Sequence, residues 1–149
     1  MIRTICLPVL LALVVAGCGG DGGSGAGDAP VAGADDARMA AIQAALDSPE
    51  RTDEMRARDA GRKPAEVLGL SGVSPGDHVI EVGSFGNYYT TLLVAVVGPD
   101  GKVDMIDPPA SEPFGGEGGR AFDAAHDNAE YHQVDYADAE FPSDVDVAF

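Results

Sequence analysis

The chain predicts an α/β domain built on a parallel sheet, and three observations carry that expectation. Short apolar runs ending in an acidic residue, at residues 78–82 and 102–107, read as strands. Between them Tyr89, Leu92, Leu93, Val96 and Val97 recur at i, i+3, i+4, i+7 and i+8, the period of a helix with one buried stripe. After the second run the pattern continues as helix, strand, strand, and strands alternating with helices in this way give a parallel sheet.

The elements follow in order. Residues 1–17 pair an early Arg3 with an apolar run from Ile5 to Val15 and then small residues, as an export signal does. The run is shorter than the ~20 apolar residues of a permanent span. Its end, "VVAGC", resembles the lipobox of bacterial lipoproteins, which makes Cys18 the lipidated first residue of the mature chain. Gly19 rather than an aspartate follows, which in such lipoproteins implies outer-membrane sorting and a domain facing the periplasm. Cys6 leaves with the signal, so neither a disulfide nor a cysteine metal site is expected.

Residues 18–36, rich in Gly, Ala and Asp, are too polar and too small to bury a core and read as a tether. The folded domain is expected over residues 37–149. Its first helix carries Met39, Ile42 and Leu46, with Asp35 or Asp36 as a cap, and ends near Ser48. A basic segment from Arg51 to Lys63 reads as a solvated helical face with local Glu/Arg pairs. Pro64 opens a helix holding Val67, Leu68 and Leu70, and Gly72 with Ser74-Pro75-Gly76 turns the chain into the first strand. Beyond Asp107, "SEPFGGEGGRAFDAAHDN" at residues 111–128 reads as a loop running into a short helix, then "EYHQV" and "VDVAF" give two more strands.

The formal net charge is −16, from 9 basic and 25 acidic residues. Such a surface repels nucleic-acid phosphates and anionic headgroups, which excludes nucleic acid as a partner and leaves the lipid anchor as the only membrane contact.

Parallel α/β sheets bind ligands beyond the carboxyl ends of their strands. Glu81, Asp107 and Asp135 stand at or just after such ends. The segment "GVSPGDHVIEVGSFGNYYTTLLVAVVGPDGKVDMID" resembles the cofactor half of a class I S-adenosylmethionine-dependent methyltransferase. The upstream "RDAGRKPAEVLGLSGV" is similar to a group of exported bacterial members, and the likeness covers residues 50–149.

The resemblance implies a Rossmann-like sheet in the order three, two, one, four, truncated after the fourth strand, with S-adenosylmethionine as cofactor. Glu81, Gly83, Gly86 and Asp107 then fall at cofactor-binding positions, Asp107 on the ribose hydroxyls, and Asp135 faces the adenine. A carboxylate accepting two hydrogen bonds suits a diol, and glycines let backbone approach a ligand. A nicotinamide dinucleotide domain shares this geometry, but Glu81 before the first glycine and the lack of a full G-x-G-x-x-G set it aside.

The loop departs from the family pattern E-x-G-x-G-x-G at Phe85 and Asn87. Asn tolerates left-handed backbone angles. The Phe85 ring has to point away from a ligand or stand in its place, which keeps open the alternative of a non-catalytic lipoprotein that retains the fold as a binding module. No residue present is assigned as a catalytic base, and the methyl acceptor is unknown. His78, His126 and His132 share no metal-ligand spacing and are expected at the surface or in packing. Tyr89 is expected in the core, and an open fourth-strand edge offers a partner chain a place to pair.

Overall fold

The computed structural model describes residues 32–149. The expected signal, Cys18 and most of the tether lie outside the described residues. Four helices precede the sheet: α1 (Ala32–Leu46), α2 (Asp53–Ala57), α3 (Asp59–Arg62) and α4 (Pro64–Ser71). Then come β1 (His78–Val82), α5 (Tyr88–Val97), β2 (Lys102–Asp107), two irregular turns over Pro109–Ser111 and Glu112–Gly116, α6 (Glu117–Asp123), β3 (Ala129–Gln133) and β4 (Val147–Ala148). The strands form one parallel sheet in the order β3-β2-β1-β4, the Rossmann-like order expected from the sequence.

Alternation along paired parallel strands gives the sheet two unlike faces. Val79 and Glu81 on β1 share one face with Val103, Met105 and Asp107 on β2 and with Ala129 and Tyr131 on β3. This face packs on α5, every residue of which is buried except Tyr89 and Ala95. A helix buried nearly all round needs cover on its far side, and α1 supplies it with Ile42 and Ala45 while Leu68 of α4 joins the same core. The other face carries His78, Ile80, Lys102, Asp104, Ile106, Glu130 and His132. No helix lies between β3 and β4; the connecting residues 134–146 return across the sheet as turns and irregular chain.

Several local expectations change. α1 begins at Ala32, so Asp35 sits in its first turn and favours the positive helix end rather than capping it from outside. The fourth strand is only Val147–Ala148, because the polar "FPSD" stretch before it stays irregular. Leu70 is exposed, since α4 stops at Ser71 with Gly72 in a left-handed conformation (φ 82°) and turns only Leu68 and Pro64 inward.

Tyr89, expected in the core, is only partly buried. Tyr88, 2% exposed, is the core residue, and Tyr89 lies at the edge of the core with its hydroxyl donating to the Arg62 carbonyl at 2.8 Å. The Tyr88 hydroxyl donates to Asp59 Oδ1 at 2.6 Å.

Nor is the basic segment a freely solvated face. Arg51 is buried; it donates to the Leu46 carbonyl at 2.9 Å and pairs with Asp59. The guanidinium groups of Arg51, Arg58 and Arg62 stand 5.8, 5.1 and 4.7 Å from the centre of the Tyr88 ring. Cation–π attraction and the shared Asp59 tie α2 and α3 to the start of α5.

Gly101 closes the turn from α5 to β2, where an added Cβ would lie 2.6 Å from Val97 Cβ and 2.7 Å from the Asp77 carbonyl oxygen.

Removing the Arg51 side chain takes the buried cation from Asp59, which keeps the Tyr88 hydroxyl, and leaves Arg56 as the remaining side-chain donor to the Leu46 carbonyl. Arg51→Met is expected to lower unfolding free energy by about 2–4 kcal/mol in urea titration, and Tyr88→Phe by about 1 kcal/mol. Equal stability of Arg51→Met and the parent would show that the pair contributes nothing.

Candidate active site

The loop between β1 and α5 turns back on itself at Gly83 and Gly86, with φ of 85° and 77°. These angles suit residues without a Cβ. Asn87 takes the same left-handed region at 55° and becomes the N-cap of α5, so its departure from glycine is accommodated. Its side-chain amide donates to the Gly118 carbonyl at 3.0 Å, linking the loop to α6. The Gly83 N–H donates to the Ile106 carbonyl at 3.0 Å and extends the β1–β2 ladder one residue further.

Glu81 and Asp107, the two acids at the strand ends, are both buried and face the helix side of the sheet. Glu81 accepts a hydrogen bond from Thr90 Oγ1 of α5 at 2.6 Å. Burial pushes its carboxyl up to about 7; the Thr90 bond opposes the rise and the Asp107 charge adds to it.

Asp107 is fully buried and accepts from Ser84 twice, from the backbone N–H at 2.8 Å on Oδ1 and from Oγ at 3.0 Å on Oδ2. The end of β2 thus clasps the loop through Ser84, a residue the sequence reading passed over. A hydroxyl beside the first glycine of a strand-to-helix loop is the available signal. A carboxylate has about four lone-pair sites, so two bonds to Ser84 leave acceptor capacity, but at full burial a diol reaches it only if the loop over it shifts.

Phe85 is half exposed, and its ring lies over Gly83, where an added Cβ would stand 3.4 Å from Phe85 Cε2. Of the two arrangements the sequence allowed, the ring takes the one that covers the glycine. The Tyr136 hydroxyl lies close by, 3.8 Å from the same point. Asp135 itself is exposed, with its carbonyl accepting from the Asp138 N–H at 2.9 Å. So Glu81, Gly83 and Asp107 come together with Ser84 and Phe85, Gly86 lies exposed on the far turn of the loop, and the turn after β3 brings Tyr136 to the loop.

The histidines do not all behave as the spacing suggested. His126 stacks on Phe122, ring centres 3.9 Å apart, as a packing residue. His78 and His132 converge on Asp104, with Nε2 at 2.6 Å from Oδ2 and at 3.2 Å from Oδ1 respectively.

Because its folded-state pKa is raised above the unfolded value, Glu81 stabilises the fold fully only below about pH 4.5, and that contribution is lost as pH rises through about 7. Glu81→Gln keeps the Thr90 contact without a charge. It is expected to match the parent at pH 4 and to exceed it by roughly 3 kcal/mol at pH 8 in urea unfolding. A stability difference independent of pH would overturn the assignment.

No family model matches the chain, and no curated protein does. Among solved structures, a SAM-dependent methyltransferase from Aquifex aeolicus is similar over 70% of this chain and 50% of its own, at 25% identity and a TM-score of 0.47. A protein-L-isoaspartate O-methyltransferase is similar over 48% of this chain and 22% of its own, at 19% identity and a TM-score of 0.40. The chain therefore spans about half the length of the first and less than a quarter of the second.

Proposed function

We propose that the chain is the cofactor-binding part of an S-adenosylmethionine-dependent methyltransferase, exported and held at the periplasmic face of the outer membrane by a lipid on Cys18. The observation that carries the reading is the loop of Gly83 to Asn87, set between buried Glu81 and Asp107 at the carboxyl ends of adjacent parallel strands. The segment's resemblance to the cofactor half of class I methyltransferases supports it, as does the "VVAGC" lipobox for the anchor.

The donor set fits the cofactor: positive-φ glycines for close approach, a carboxylate with free lone pairs at Asp107, and a buried acid at Glu81. Two features stand against it: the Phe85 ring over Gly83, which has to move off the glycine for a ligand to reach the loop, and the full burial of Asp107, which the same movement has to relieve. S-adenosylmethionine, when bound, supplies an electrophilic methyl group. In this reading Asp107 orients the ribose while Ser84 keeps the loop in register, and Glu81 sets the charge under the methionine end. Rate then comes mainly from positioning, with the methyl acceptor held by parts of the protein beyond these residues.

Calorimetric titration of the full chain with S-adenosylmethionine tests the proposal. Saturable binding is expected, lost in Asp107→Ala. Displacing a half-buried ring costs on the order of 1 kcal/mol, so Phe85→Ala is expected to tighten binding about five- to tenfold. Absence of binding at millimolar cofactor in both the parent and Phe85→Ala would overturn it and leave a non-catalytic lipoprotein with this fold.

A further inference from the structure

On the sheet face away from α5, strand register assembles side chains that no linear spacing reveals. Asp104 on β2 pairs with Glu130 on β3, and Ile106 with His132, so Asp104, Glu130 and His132 lie on one face one step apart. One ligand atom from each falls within 4.8 Å of the other two. His132 Nε2 stands 3.2 Å from Asp104 Oδ1 and 3.8 Å from Glu130 Oε1. Those separations are close to the edge of about 3.3 Å for a tetrahedron with metal–ligand bonds of about 2.0 Å.

The second oxygen of Asp104 is held at 2.6 Å by His78 Nε2, which fixes the carboxylate from behind as an outer partner does in metal sites. Asp104 and His132 line a cavity of about 620 Å³ that Asp138 and Glu140 also border, so an ion has a route in past further acidic groups. Lys102 occupies the cluster, with Nζ 2.9 Å from Asp104 and 2.7 Å from Glu130. Its ammonium supplies the positive charge the two carboxylates need, and its long stem lets it swing out to solvent.

We infer that Asp104, Glu130 and His132 form a binding site for a divalent transition-metal ion of the zinc type, which displaces the Lys102 ammonium. The mixed imidazole and carboxylate set selects such an ion over magnesium, which takes oxygen ligands in octahedral geometry. The site is separate from the Gly83–Asn87 loop and stands whether or not that loop takes a cofactor.

The test is calorimetric titration of the full chain with zinc chloride, with Cys6→Ser and Cys18→Ser introduced so that no thiol competes. Cobalt chloride serves as the spectroscopic probe. One ion per chain is expected, with tetrahedral cobalt absorption. His132 and Glu130 are exposed enough, at 38% and 51% of their side chains, to be replaced without unfolding the domain. His132→Ala and Glu130→Gln are each expected to weaken binding about tenfold or more, while His126→Ala leaves it unchanged. Absence of stoichiometric zinc binding, or equal affinity in His132→Ala and its parent, would overturn the inference.

Discussion

The parallel register of β1, β2 and β3 is the constraint on which both clusters of this protein depend. Pairing Val79 with Val103 and Val103 with Ala129 sends these residues to the α5 side, and strict alternation carries Glu81 and Asp107 there with them. The same alternation sends His78, Asp104 and His132 to the other side. A slip of one residue on β2 would expose Val103 and Met105 and dissolve both groupings at once. The apolar core therefore holds the polar sites in place, since the cost of exposing the core fixes the register that the sites require.

Three carboxylates are buried in this sheet, and the protein satisfies each by a different means. Asp107 receives a backbone N–H and a hydroxyl from Ser84. Hydrogen bonds from Lys102, His78 and His132 surround Asp104; although burial pushes its carboxyl up, they outweigh burial and hold it below the usual carboxylate range. Glu81 has a single hydroxyl, Thr90, and burial prevails there. A buried acid is tolerated in proportion to the donors aimed at it, and the poorly supplied one sits beneath the glycine loop, where a titratable group can answer to a ligand.

The N-terminal helices reach the sheet through α5 rather than directly. Tyr88, the first residue of α5, is faced by the guanidinium groups of Arg51 before α2, Arg58 at the junction of α2 and α3 and Arg62 of α3, and is bonded to Asp59, while α1 packs along the same helix. In a chain of net charge −16 this is where the basic residues concentrate. Three of them, Arg51, Arg58 and Arg62, gather on the Tyr88 ring, and Arg51 also pairs with Asp59, so that they act as structural ties at the end of α5 adjoining the loop.

The sequence by itself determined what depends on neighbours along the chain. Strand and helix periods, the stops at Gly72 and Gly98, the left-handed turns at Gly83 and Asn87 and the acids closing β1 and β2 are all local, and together they imply a parallel sheet with a loop at its carboxyl edge. Tertiary structure alone decided what depends on rotation and register. It chose Tyr88 over Tyr89 for the core, because Asp59 and the guanidinium groups of Arg51, Arg58 and Arg62 close over that ring. It aimed Asp107 at Ser84 and laid Phe85 over Gly83, because those contacts form only once β1 and β2 are paired. It brought His78 and His132, more than fifty residues apart, to one carboxylate, because parallel pairing places them on flanking strands while the chain between them passes through two helices.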